Sequence, residues 1–123
     1  MRTLVLGHGK FYLSDEDYDR LPKSKKDQHA TIRCSPIKIE DWYTQPYICV
    51  DIDTYIRPDI VYDLRRRPWV FAENESFDRV IDTCGIAFVR FNFYDKWFLD
   101  EVLRILKPGG IFYGRGDNRI QKS

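Results

Sequence analysis

Two short runs in this chain carry residue types suited to holding a small polar ligand. The first, Gly7-His8-Gly9, directly follows the apolar run Thr3-Leu4-Val5-Leu6. Glycines lack the Cβ that blocks close approach, and backbone N–H groups exposed at such a turn can bind a carboxylate or a phosphate. The second, Val50-Asp51-Ile52-Asp53, places acids at the end of another β-favouring run. A carboxylate at a strand tip can accept hydrogen bonds from both hydroxyls of a ribose, the arrangement found in nucleotide-binding sheets. Each run alone is weak evidence. Together they suggest a bare turn and a negative tip on separate strands.

Those tips need a fold that brings them to one place. Thr3-Leu4-Val5-Leu6 reads as a strand buried on both faces and stopped by the glycine turn, and 47–53 reads as a second with a polar end. A third short strand spans 59–63, closed by Arg65-Arg66-Arg67-Pro68, and a fourth spans 77–81, ending at Asp82-Thr83-Cys84-Gly85. The clearest helix covers about 93–106, with Asn92 as N-cap and Gly109 just past its end behind Pro108. Its apolar positions are Phe93, Trp97, Val102, Leu103 and Leu106, and Asp100 and Arg104 form an (i, i+4) pair on the wet side. Ile111-Phe112-Tyr113 makes a fifth strand, after which the polar tail 117–123 has no partner segment. Alternating strands and helix predict an open, mostly parallel sheet, whose ligands settle beyond the carboxyl ends of the strands.

A chain of 123 residues, 43% of them hydrophobic, is long enough for one core and too short for two. The whole of 1–123 is therefore expected to be a single domain. Segment 11–46 is a charged insertion in it, an acidic cluster around Asp15 to Asp19 followed by basic residues from Arg20 to Lys26. With 20 Lys plus Arg against 19 Asp plus Glu, no overall positive field exists, so nucleic acid is not indicated without a local patch. The apolar runs are too short for a membrane span or a secretory leader, and Cys34, Cys49 and Cys84 form no Cys-x-x-Cys pair. The expectation is a cytoplasmic protein with reduced thiols, no membrane and no metal.

Beyond these separate readings, several motifs recur in a familiar order. They are Leu4-Val5-Leu6-Gly7-His8-Gly9-Lys10, Val50-Asp51-Ile52-Asp53, Pro58-Asp59-Ile60-Val61-Tyr62-Asp63-Leu64, Ser76-Phe77-Asp78-Arg79-Val80-Ile81, and Glu101-Val102-Leu103-Arg104-Ile105-Leu106-Lys107-Pro108-Gly109-Gly110. This series resembles the class I S-adenosylmethionine-dependent methyltransferases over most of the chain outside 11–46, most distinctively in the Leu-Lys-Pro-Gly-Gly word. The resemblance implies a Rossmann-like open sheet of about five strands in the order 3-2-1-4-5, with S-adenosylmethionine as cofactor. Gly7, His8 and Gly9 would face its methionine portion, Asp51 its ribose, Asp63 and Leu64 its adenine, and Thr83 the methyl-transfer side. No fixed catalytic residue is implied. Where the unknown acceptor must lose a proton, His8 or Asp82 could take it.

The chain departs from that pattern in three ways. Val5 replaces the usual acidic or amide residue two positions before the first glycine. Gly7 and Asp51 lie much further apart than the roughly 20 residues of the comparable dinucleotide fingerprint. The family's two strands after the fifth are also missing, so the fold is expected to be truncated. That would leave Ile111-Phe112-Tyr113 as an open edge through which the chain could form a homo-oligomer. The alternative to an enzyme is a catalytically inactive methyltransferase-fold module that binds or scaffolds.

Other residues have plainer readings. Gly109-Gly110 act as a helix stop, Trp97 and Asp53 are structural, and Cys84 is a buried thiol. Arg65-Arg66-Arg67 could meet a phosphate or an RNA acceptor, although such a run is more often a solvated loop.

Overall fold

The computed structural model describes residues 1–7, 20, 23, 46–54, 58–82, 95–114 and 119–123. Thr3–Leu6 forms β1, Ile48–Asp51 β2, Ile60–Val61 β3, Phe77–Asp82 β4, Leu106–Tyr113 β5 and Arg119–Gln121 β6, and helix α1 is Lys96–Ile105. The strands form one sheet in the order β3-β2-β1-β4-β5-β6. β1 to β5 pair in parallel, and β6 runs antiparallel to β5. The chain is therefore an α/β protein on a mixed, mostly parallel six-stranded sheet.

The central strands are apolar without alternation because both of their faces are covered. On one face Leu4, Leu6, Val50, Val80 and Phe112 pack with Phe98, Val102 and Ile105 of α1 in the main core. Those three helix positions fall at i, i+4 and i+7, one stripe of the helix. Burying each such side chain contributes roughly 1.5–3 kcal/mol. On the other face Val5, Cys49 and Ile81 are also fully buried, which is why β1 carries no polar residue between Thr3 and Gly7.

Trp69 anchors the connection from β3 to β4. Its ring, fully buried, meets Phe98 edge-on at 5.3 Å and stacks near Phe71 at 5.9 Å. Its indole N–H donates to the Leu64 carbonyl at 2.8 Å. Further along, Glu75 N–H donates to the Arg104 carbonyl and Ser76 N–H to that of Ile105. The connection thus runs alongside α1 toward the helix C-terminus before entering β4.

Several expectations need correction. The polar tail does find a partner: Ile120 half-buries against the core, and β6 covers β5 in register Ile111↔Gln121, Phe112↔Ile120 and Tyr113↔Arg119. The expected open edge at Ile111-Phe112-Tyr113 is therefore occupied by the chain itself, and the sheet has six strands instead of about five. Strand β3 is two residues long, shorter than 59–63.

The helix also differs from its predicted bounds. It starts at Lys96, capped by Asp95, whose side chain accepts from Phe98 N–H, and Asn92 lies outside the described residues. It ends at Ile105, so Gly109 and Gly110 are not its stop signal. Both lie within β5, where the register slips between Phe77↔Leu106 and Arg79↔Ile111 and the Lys-Pro-Gly-Gly residues bulge out. Gly109, at φ +81, supplies the left-handed residue that the bulge requires. Asp100 and Arg104 do not pair. Asp100 accepts from Lys96 at 2.9 Å, while Arg104 turns inward to Glu101 and the carbonyls of Trp69 and Ala72.

Candidate functional site at the carboxyl end of the sheet

In a parallel sheet the strand tips lie together, and the register shows which of them are neighbours. Leu6 of β1 aligns with Val50 on one side and with Asp82 on the other. Gly7 follows immediately, flanked by the ends of β2 and β4. The chain leaves β1 for β2 and β3 on one side and returns to β4 on the opposite side, so Gly7 stands at the point where strand order reverses. Crevices at such points are where open α/β sheets hold ligands.

Two acids border this turn, Asp51 at 5% exposure and Asp82 fully buried. Alternation along the strands sends them to opposite faces: Asp82 continues the row of Leu4, Leu6 and Val80, and Asp51 the row of Val5 and Cys49. An Asp51 Oδ1 lone pair is engaged by the Asp53 N–H at 2.8 Å, which ties the β2 tip into a tight polar turn. Gly7 has φ +68, a conformation that a β-carbon would strain. Its N–H donates to the Val50 carbonyl at 2.8 Å. That donor is therefore spent within the sheet, and the expectation that it could bind an anion does not hold for Gly7.

Asp63 and Leu64 follow β3 and lead into the arginine run. Asp63 accepts from Arg65 three times, from Nε at 3.0 Å, from Nη2 at 2.9 Å and from the backbone N–H at 3.0 Å. The side-chain and backbone hydrogen bonds from Arg65, aided by the charges of Arg65 and Arg66, hold its carboxyl below the ordinary carboxylate range. Leu64 is buried, its carbonyl committed to Trp69. Of the predicted site residues, the structure brings Gly7 and Asp51 to adjacent tips and sets Asp63 and Leu64 one strand further out. His8, Gly9 and Thr83 lie outside the described residues, as do Cys34, Cys84 and most of segment 11–46.

Cys49, buried on β2, is a free thiol. Its N–H and Sγ both lie within hydrogen-bond reach of Asp59 Oδ2, at 2.9 and 3.2 Å. This pair links β2 to the start of β3 on the side away from the strand tips. Among the described residues no cluster of three or more His, Cys, Asp or Glu is placed to hold a metal ion, and no helix is long and apolar enough to cross a membrane.

The network of Trp69, Glu101 and Arg104 was not apparent from the sequence. The signal for it was Glu101 and Arg104 at i, i+3 behind a lone tryptophan, masked by the more obvious Asp100–Arg104 spacing. Comparison with models of known protein families, with curated proteins and with solved structures finds no match for this chain. The class defined by the fold is the α/β sheet with polar residues gathered at its carboxyl end.

Proposed function

We propose that this chain is a Rossmann-like S-adenosylmethionine-dependent methyltransferase, or a methyltransferase-like protein, that holds the adenosine of its cofactor across the tips of β1 and β2. The observation that carries this reading is Asp51 at the end of β2 beside Gly7 at positive φ after β1, at the reversal of strand order. When bound, the cofactor supplies an electrophilic methyl carbon on a sulfonium, whose displacement depends mainly on alignment. Asp51 accepts from the ribose hydroxyls. The Cβ-free Gly7 admits the ligand close to the backbone, and the Asp63–Leu64 turn borders the adenine side. Asp82 can take a proton from an acceptor that must lose one.

A specific observation favours the second reading, an inactive module that keeps the sheet. Asp51 is almost wholly buried with Asp53 N–H on its carboxylate, and Asp63 is already neutralised by Arg65. Calorimetric titration separates the two readings. Under the first, S-adenosylmethionine and S-adenosylhomocysteine bind the full chain, and Asp51→Ala abolishes binding while the unfolding midpoint stays within a few degrees. No heat at millimolar ligand assigns the chain to the second. Equal binding of adenosine and both cofactor forms points to a different adenosine-containing ligand.

A further inference from the structure

Three consecutive arginines, Arg65-Arg66-Arg67, follow β3, and the fold gives them unequal tasks. Arg65 is consumed by Asp63. Arg66 and Arg67 are exposed, and among the described residues neither makes an ion pair. Arg67 sits over the Trp97 ring, its guanidinium carbon 4.8 Å from the centroid. A cation–π contact of this kind uses none of the guanidinium N–H donors as hydrogen bonds, and a guanidinium is the group that fits a phosphate bidentately.

The loop that carries them is held at both ends. Arg66 N–H donates to the Asp63 carbonyl at 2.9 Å, and Tyr62 Oη lies 3.0 and 3.1 Å from the carbonyls of Arg66 and Pro68. Trp69, next in sequence, is fixed by its N–H to Glu101 at 2.6 Å and by its carbonyl to Arg104 at 2.9 Å. A solvated charge run needs no such fastening. The loop follows a parallel strand and touches Trp97 in the first turn of α1, the helix end nearest the carboxyl ends of the strands. Both free guanidinium groups are therefore presented at the same end of the sheet as Asp51. Among the described residues the nearby acids are committed elsewhere: Asp63 to Arg65, Asp95 to the helix cap and Asp100 to Lys96.

We infer that the Arg66–Arg67 turn is a phosphate-binding element that holds the phosphodiester backbone of a nucleic-acid strand against the carboxyl end of the sheet. The strand is the methyl acceptor, a step that rests on the function proposed above, whereas its binding does not. With a formal net charge of only +1, attraction to a polyanion has to come from a local patch of this kind.

The test is fluorescence anisotropy of the full chain with labelled oligouridylate, oligothymidylate and a short duplex over a range of salt. Arg66→Ala with Arg67→Ala should weaken binding by about tenfold or more at low salt and lower the salt slope by about one to two. Arg66→Ala alone touches no packed ring and should give roughly half of that slope change with an unaltered unfolding midpoint. Tighter binding of the RNA or the DNA strand identifies the sugar of the acceptor. Unchanged affinity in the double variant, or equal competition by polyaspartate or anionic vesicles, overturns the inference. S-adenosylmethionine titrated into the double variant should bind as in the parent. If neither protein binds it, the proposed function fails while the oligonucleotide result still decides this one.

Discussion

The backbone N–H of Trp69 donates to Glu101 Oε1 at 2.6 Å, while the other carboxylate oxygen of Glu101 accepts from Arg104 Nε at 2.8 Å. One carboxylate thus fastens the β3–β4 connection to α1 and orients the arginine whose other N–H groups reach the carbonyls of Trp69 and Ala72. Removing it leaves the Trp69 N–H and the Arg104 Nε–H without their acceptor and the half-buried guanidinium without its counter-charge. Glu101→Ala should therefore destabilise the chain by about 2–4 kcal/mol, and Glu101→Gln, which keeps an acceptor for Trp69, by clearly less. Denaturant unfolding of both variants checks this, and equal losses would contradict it.

The same carboxylate sets a pH dependence. Burial pushes the Glu101 carboxyl up, but the hydrogen bonds from Arg104 and Trp69 and the charge of Arg104 together hold it below its ordinary value of 4.5. A group lowered in the folded state contributes stability above its unfolded value and loses it as pH falls through the folded one. Stability should fall as pH drops below about 4.5. Asp63 and Asp78, also lowered, add to the loss in the same direction, by hydrogen bonds from Arg65 and from the Arg2 backbone N–H respectively. The acid loss should be smaller in Glu101→Gln than in the parent, measured as the change in unfolding midpoint between neutral and acidic buffer.

Among the described residues Trp69 is the largest fully buried side chain, ringed by Phe71, Trp97 and Phe98. Trp69→Ala should cost about 3–5 kcal/mol through the cavity it leaves. Trp69→Phe keeps most of the packing and strands the Leu64 carbonyl, at about 1–3 kcal/mol. Because Trp69 also fixes the arginine turn, Trp69→Phe should loosen oligonucleotide binding less than the Arg66, Arg67 double change, which separates positioning from contact.

Much of the sheet was legible because its strands are buried on both faces and announce themselves as unbroken apolar runs: β1 lies where Leu4-Val5-Leu6 placed it, and the parallel order β3-β2-β1-β4-β5 matches the order expected for the first five strands. What escaped was decided by long-range partners. Ile120 is a single apolar residue in a polar tail, and only the unpaired edge of β5 makes a strand of it. Leu106 reads as the last helical position, yet pairing with Phe77 draws it into β5. At the candidate site the acid of β2 and the glycine after β1 could be placed from strand ends alone. The commitments of Asp63 to Arg65 and of the Gly7 N–H to Val50 depend on geometry that spacing does not encode.

The two glycines of the β5 bulge should respond differently to one methyl group. Gly109 has open space where a β-carbon would stand but sits at φ +81, so Gly109→Ala costs only backbone strain, about 1–2 kcal/mol. A β-carbon on Gly110 would lie 2.8 Å from the Lys107 carbonyl oxygen and 3.0 Å from that of Asp78, both backbone atoms that cannot swing away. Gly110→Ala should therefore cost at least as much, about 1–3 kcal/mol, by displacing β5 from β4. The distinguishing readout is protection of β5 amides in hydrogen exchange, which should drop in Gly110→Ala and hold in Gly109→Ala.

Removing β6 tests whether the tail acts as an edge guard. Lys122 exchanges backbone hydrogen bonds with Gly109 and Gly110, each at 2.9 Å, and its Nζ donates to the Leu106 carbonyl at 2.8 Å. Deleting 119–123 frees the outer backbone groups of β5 and uncovers part of Phe112, and an unprotected parallel edge is a template for pairing with a second chain. The shortened chain should show concentration-dependent association by light scattering, together with a lower unfolding midpoint. Replacing Ile120 alone by Asp keeps the backbone of β6 and removes only its half-buried side chain, so it should lower the midpoint with much less association. If the shortened chain stays at the mass of the parent at high concentration, the hydrogen bonds of β6 serve local stability and do not guard the edge.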